Sequence, residues 1–244
     1  MPRGPRIELE GGIHHVFTRG DHRERIFDDD NDRHRFLRRY EVVAARYEWV
    51  PLSYCLMDNH VHLVLETPRC TLGDGCRDLL GHYARLRNGR LDELGHVYQG
   101  RFRNRLVQNE AYFAQLLRYV ALNPVKANLC PTPESWSWSS HRVLCNGEDG
   151  PLARSTRVAE LLDIGGGEPS ERYTALFEPT HPLELQFGAH HPEDWRPTLQ
   201  ALFVKGEEAG LAAARAHGYT LAEIGGHLGV HRATVLRRLR NNGA

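Results

Sequence analysis

An α+β fold is predicted for residues 1–145 by three features of the sequence. Short runs such as Tyr54 to Glu66 carry the dense apolar pattern of strands. Between such runs, apolar positions recur at helical spacing, as in Phe36, Leu37, Tyr40, Val43 and Ala44. Two of the runs flank Asp58-Asn59, a tight hairpin turn. The resulting order is β-α-β-β-α-β followed by a helix. This is the order of a ferredoxin-like (RRM-like) sheet with helices on one face, here ahead of a mainly helical C-terminal region. The other face of the sheet is left for a site.

Each element has a local justification. Gly12 to Thr18 forms the first strand, with Ile13, Val16 and Phe17 beside two histidines, and Arg19-Gly20 closes it. Asp32 is the expected cap of the first helix, which runs to about Tyr47. Trp49 to Met57 and His60 to Glu66 are the hairpin strands. Leu72 to Arg90 is a second helix through Leu79, Leu80, Tyr83 and Leu86, and Val97 to Val107 a fourth strand. Asn109 caps a third helix from Glu110 to about Leu122, where Pro124 disfavours helical geometry at Asn123.

Length and composition narrow the classes. With 244 residues the chain can bury one full core and a smaller second one. Expected divisions are 1–145 for the sheet domain, 146–197 for a connector rich in Gly, Pro and acidic residues with little independent structure beyond one helical segment near Ser170 to Phe177, and 198–244 for a helical helix-turn-helix region. No run approaches the roughly 18 apolar residues of a membrane span, and the first residues lack a signal-peptide core, so no membrane partner and a cytoplasmic location are expected. The five cysteines contain no C-x-x-C spacing and are expected to be reduced thiols. Formal net charge is zero, which excludes a globally basic nucleic-acid binder, but basic residues concentrate in Arg101 to Arg105 and Arg232 to Arg240.

Four constellations carry chemistry. In His60-Val61-His62, strand geometry puts both imidazoles on one face, roughly 7 Å apart, and sends Val61 with Leu63 and Leu65 to the core. Such a pair is a metal site or simply two histidines, and the tripeptide does not choose. On the third helix, Tyr112, Gln115, Tyr119 and Asn123 form one stripe and Phe113, Leu116, Leu117 and Val120 the other. Tyr119 and Asn123 therefore project together, either into a site or as a packing residue and a turn cap. Arg101, Arg103 and Arg105 alternate along the expected fourth strand, a row suited to a phosphate backbone or to solvent, with Arg118 and Lys126 flanking the tyrosine. His14, His15 and His96 are assigned to packing or surface. In the tail, Thr220 caps a short helix, Gly225 permits close approach of a second, and Gly229 makes the turn. This resembles a helix-turn-helix whose Arg232, Thr234, Arg237 and Arg238 would face DNA; a plain helical hairpin is the other reading.

The runs Met57-Asp58-Asn59-His60-Val61-His62-Leu63-Val64-Leu65, Gly95-His96-Val97-Tyr98-Gln99-Gly100-Arg101-Phe102 and Arg118-Tyr119-Val120-Ala121-Leu122-Asn123-Pro124-Val125-Lys126-Ala127 closely resemble, in order and spacing, blocks of the single-tyrosine HUH transposases, in particular the REP-associated tyrosine transposases of the IS200-like family. Arg19-Gly20 and Trp138-Ser139-Ser140 are similar to flanking blocks, so the resemblance covers roughly residues 11 to 145. It implies a metal-dependent single-stranded DNA endonuclease and strand transferase. In that scheme His60, His62 and Asn123 hold a divalent cation, Mg²⁺ or Mn²⁺. Tyr119 is the nucleophile that forms a 5′-phosphotyrosine, and Arg19 joins Arg101, Arg103, Arg105, Arg118 and Lys126 along the DNA. The implied partner is single-stranded or hairpin DNA, with duplex DNA at the tail, and the implied state a monomer or homodimer. Two other readings are a DNA-binding regulator with a vestigial nuclease domain and, last, an unrelated metallohydrolase.

Overall fold

The computed structural model describes residues 8–162, 167–178, 199, 203, 206–216, 219 and 221–241. The chain divides into two compact units, Met1–Glu184 and Leu185–Ala244. In the first, β1 (Gly12–Arg19), α1 (Asp30–Arg46), β2 (Val50–Leu56), β3 (His60–Thr67), α2 (Leu72–Leu91), β4 (Arg103–Leu106) and α3 (Glu110–Lys126) follow in order. The sheet runs β2-β3-β1-β4 with every neighbouring pair antiparallel, the expected ferredoxin-like arrangement. Val16, Val61, Leu63 and Leu65 from the central strands pack against Phe36, Tyr40 and Val43 of α1 and Leu72, Leu79 and Tyr83 of α2. The opposite face meets α3, whose Tyr119 ring stands 5.4 Å from that of His62. The outer edge of β2 is covered: Leu56 N–H donates to the Trp138 carbonyl at 2.8 Å and Ser140 N–H to that of Tyr54 at 3.0 Å.

Four expectations are corrected. Asp29, not Asp32, caps α1, accepting from Asp32 N–H at 2.8 Å. The Asp32 side chain is fully buried and paired with Arg35 and Arg90 instead. The fourth strand shrinks to four residues because Val97 and Phe102 both enter the helix-side core. Residues five apart on a straight strand face opposite ways, so the chain has to bend between them. Third, α3 continues through Pro124 to Lys126. Burial of Asn123 and Pro124 outweighs the local preference of about 3 kcal/mol against an internal proline.

The last correction concerns residues 146–162, expected as connector. They form a hairpin of β5 (Asp149–Gly150) and β6 (Ala153–Arg154), then α5 (Ser155–Leu161), while the helix expected near Ser170 to Phe177 is present as α6 (Pro169–Ala175). The preceding helix α4 (His141–Cys145) is tied to α6 by His141 Nδ1, 2.9 Å from the Tyr173 hydroxyl. Arg157 grips Glu66 of β3 with two bonds, at 2.9 and 3.2 Å. Single apolar anchors such as Leu152, Val158, Leu162 and Tyr173 are buried, too few per element to produce a readable period. No disulfide is present among the cysteines, and no described helix is long and apolar enough to cross a membrane.

In the second unit α7 (Glu207–Ala216), α8 (Leu221–Leu228) and α9 (Arg232–Asn241) enclose Leu211, Ala214, Ile224 and Val235. A Cβ on Gly225 would lie 2.5 Å from the Val230 carbonyl oxygen, so only glycine allows this approach, and Gly229 turns the chain at φ +66°. The expected cap Thr220 lies outside the described residues.

Two stability predictions follow from the first unit. A Cβ on Gly75 of α2 would sit 2.2 Å from the Trp49 ring. Overpacking of this kind costs about 1–3 kcal/mol, against at most about 1 kcal/mol of gained helix propensity. Gly75→Ala is therefore expected to lower the denaturation midpoint in urea; an unchanged or raised midpoint would remove the argument. Burial pushes the His14 imidazole, whose ring nitrogens have no hydrogen-bond partner among the described residues, from 6.5 down to about 4. Because the unfolded chain takes up this proton first, the stability is complete above pH 6.5 and falls as pH drops towards 4. The slope is about 1.4 kcal/mol per pH unit for one such group. Denaturation series across that window should show a shallower slope in His14→Leu; parallel curves would contradict it.

Candidate active site

The site is built where β3, β1 and the last turns of α3 meet. His60 and His62 share a face of β3 with ring centroids 5.1 Å apart, and the β1 register sets Phe17 opposite His62. His62 is 1 % exposed, so desolvation, and then unfavourable electrostatic coupling to the neighbouring His60, His15 and Arg19, hold its pKa well below 6.5 and keep it neutral. A neutral imidazole is the form that offers a lone pair to a cation.

Asn59 fixes the other ring. Its Nδ2 donates to the Arg23 carbonyl at 3.0 Å, which leaves Oδ1 to accept from His60 Nδ1 at 2.7 Å. His60 Nε2 then carries a lone pair. Asn123 Nδ2 donates to the Tyr119 hydroxyl at 2.7 Å and lies 3.4 Å from His62 Nε2, and Asn123 Oδ1 faces His60 Nε2 at 3.1 Å. Two acceptors so placed repel unless a positive charge lies between them. The 3.1 Å between Asn123 Oδ1 and His60 Nε2 matches an edge of a coordination polyhedron with bonds of about 2.1 Å, and His62 Nε2 lies beside the same amide, so two imidazole nitrogens and an amide oxygen fit a divalent cation. Among the described residues no group of three or more His, Cys, Asp or Glu has such an arrangement.

Tyr119 is 7 % exposed, and burial raises its pKa well above 10; the Asn123 hydrogen bond and the charges of Arg19 and Arg105 partly counter this. Lys126 Nζ stands 5.6 Å from the centre of the Tyr119 ring. The expected arginine row is reduced. Arg103 and Arg105 lie opposite Phe17 and His15 on the site face, with Arg103 exposed and Arg105 buried, its guanidinium 5.8 Å from the Phe17 ring centre. Arg101 is exposed but lies before the strand, in the bend forced by Val97 and Phe102. Arg118 is half-buried on α3. In the second unit Arg232 and Arg237 are exposed and Thr234 half-buried on α9, whereas Arg238 pairs with Glu207 of α7.

Two residues assigned by sequence to a turn and to packing belong to this cluster. Asn59 holds His60, and His15 Nε2 lies 2.9 Å from His62 Nδ1. Burial, then the charge of Arg105, pushes the His15 pKa down to about 3. The position of Asn59 next to His60 is legible in the sequence; the approach of His15 depends on strand register, which is not.

Paired histidines on a central strand of an antiparallel ferredoxin-like sheet, faced by a helix-borne tyrosine, are the arrangement that the resemblance to DNA transposases leads one to expect. Residues 10–123 match the family described as Transposase IS200 like. Among solved structures, that of a REP-associated tyrosine transposase bound to a REP hairpin has the same fold. The TM-score is 0.52 at 17% identity, over 62% of this chain and 90% of that one. A candidate transposase from Deinococcus radiodurans R1 is 20% identical over 49% of this chain and 94% of its own, with a TM-score of 0.35 too low to bear on the fold. No curated protein matches the chain.

Proposed function

We propose that the chain is a metal-dependent single-stranded DNA endonuclease and strand transferase with Tyr119 as nucleophile. The observation that carries this is the convergence of His60 Nε2, His62 Nε2, the Asn123 amide and the Tyr119 hydroxyl within hydrogen-bond distances. A divalent cation, Mg²⁺ or Mn²⁺, held by His60, His62 and Asn123 would neutralise charge on a non-bridging phosphate oxygen. Tyr119 attacks phosphorus in line, its oxygen–phosphorus bond forming as the bond to the 3′-oxygen breaks. The products are a 5′-phosphotyrosine and a free 3′-hydroxyl. Since burial keeps the phenol protonated at neutral pH, its proton passes to water as the bond to phosphorus forms, and the departing 3′-oxygen takes one up from water to become the 3′-hydroxyl. Asn123 Nδ2, donating to that oxygen, stabilises the charge that develops. The covalent ester keeps the energy of the broken bond, so a second 3′-hydroxyl can resolve it by rejoining strands.

Single-stranded or hairpin DNA is the proposed substrate, and the solved relative bound to a REP hairpin supports the hairpin form. Arg19, Arg101, Arg103, Arg105, Arg118 and Lys126 would follow its backbone. The close α8–α9 approach at Gly225 favours a further role for the tail, with Arg232, Thr234 and Arg237 on duplex DNA and Arg238 held by Glu207. Incubation of a labelled hairpin oligonucleotide carrying a single-stranded tail with the protein and Mn²⁺ or Mg²⁺ should give a nick and a denaturation-resistant adduct. Tight duplex binding with neither product under either metal would favour the regulator reading instead.

A further inference from the structure

We infer that His15 of β1 is a positioning residue: it accepts a hydrogen bond from His62 Nδ1–H and so fixes the tautomer whose Nε2 lone pair faces Asn123. The inference rests on the cation-binding reading of the site. His15 and His62 are diagonal neighbours on adjacent strands, because β1 sets Phe17 against His62 and His15 against Val64. Their rings lie at 28° with centroids 5.1 Å apart, and a single contact, Nε2 to Nδ1 at 2.9 Å, joins them. Phe17 at 5.0 Å and Tyr119 at 6.4 Å flank the His15 ring, and Arg105 is its register partner on β4. Both imidazoles are buried, His15 at 4 % and His62 at 1 % exposure.

One proton lies between two neutral rings, and it has two places to sit. On His15 Nε2, it would leave the proton of His62 on Nε2, opposing the Asn123 Nδ2 donor at 3.4 Å. On His62 Nδ1, it leaves Nε2 as an acceptor towards that donor, and as a ligand atom when a cation enters. Only the second arrangement satisfies both contacts of His62. His60 is treated in the same way from the other side, its Nδ1 held by Asn59. Each histidine thus has its own outer partner, as metal-binding imidazoles require.

The test is Mn²⁺ binding by the full-length chain, followed by calorimetry, in wild type, His15→Phe, His15→Gln and His62→Ala. Phenylalanine keeps the aromatic packing and removes the acceptor, and glutamine returns an acceptor oxygen near the place of Nε2. His15→Phe is expected to bind Mn²⁺ about 10- to 100-fold more weakly, with His15→Gln recovering most of the loss. Wild-type affinity in His15→Phe, or a glutamine variant as weak as the phenylalanine one, overturns the role of His15 and leaves the cation site standing. Wild-type protein that binds Mn²⁺ no better than His62→Ala overturns the cation site and this inference with it. Should His15→Phe not fold, long-range ¹H–¹⁵N correlation spectra of metal-free wild type read the tautomer directly. A proton on His62 Nδ1 supports the assignment and one on Nε2 refutes it.

Discussion

Tyr119→Phe is expected to abolish nicking of a hairpin oligonucleotide and the covalent protein–DNA adduct together, by at least about a thousand-fold. The change removes one oxygen and keeps the ring that stands 5.4 Å from His62 and 6.4 Å from His15. Folding should suffer only the loss of the Asn123 hydrogen bond, about 1 kcal/mol. A folded protein without chemistry is therefore the predicted state, with circular dichroism and melting close to wild type. Residual cleavage accompanied by an adduct would place the nucleophile elsewhere. Residual cleavage without one would mean that water attacks, and strand rejoining would then need another source of energy.

The second large effect is expected at the three ligand atoms. His62→Ala should lower Mn²⁺ affinity by more than about 100-fold and cleavage with it, because the remaining imidazole and amide cannot fix the ion alone. EDTA treatment of the wild type should reproduce the loss, and added Mn²⁺ should reverse it. Asn123→Ala differs in kind. It removes the proposed neutral oxygen ligand and also the N–H donated to the Tyr119 hydroxyl. Saturating Mn²⁺ should restore binding in this variant while leaving kcat depressed, whereas kcat fully restored at high Mn²⁺ would show that the hydrogen bond to the phenol contributes nothing. A wild-type rate that is unaffected by EDTA would end the cation reading altogether.

Much of this site is legible in the order of residues. His60-Val61-His62 announces two rings on one strand face because side-chain direction has a period of two, and Val61 is indeed fully buried on the other side. Tyr119 and Asn123 are neighbours because helical period is local too, and the bond between them is 2.7 Å. Local rules fail at the fourth strand. The alternation of Arg101, Arg103 and Arg105 suggests one row, yet Val97 and Phe102 share one core and bend the chain between them. They fail again at 146–162, where β6 and α5 pack on β2 through a few apolar residues and Arg157 reaches Glu66 of β3, leaving no period to read.

What the sequence determined by itself is each element's type and the pairing of functional groups within an element: two imidazoles on β3, a phenol and an amide on α3, a glycine turn between α8 and α9. What only the tertiary structure decided is how these pairs meet, that His60 and His62 face Asn123 across 3.1 and 3.4 Å, and that His15 stands behind His62 at 2.9 Å. The reason is physical. Directions along a helix or strand follow from backbone geometry over a few residues, whereas contacts 47 to 63 residues apart depend on strand register and on which sheet face α3 covers, and these are set by the packing of the whole core.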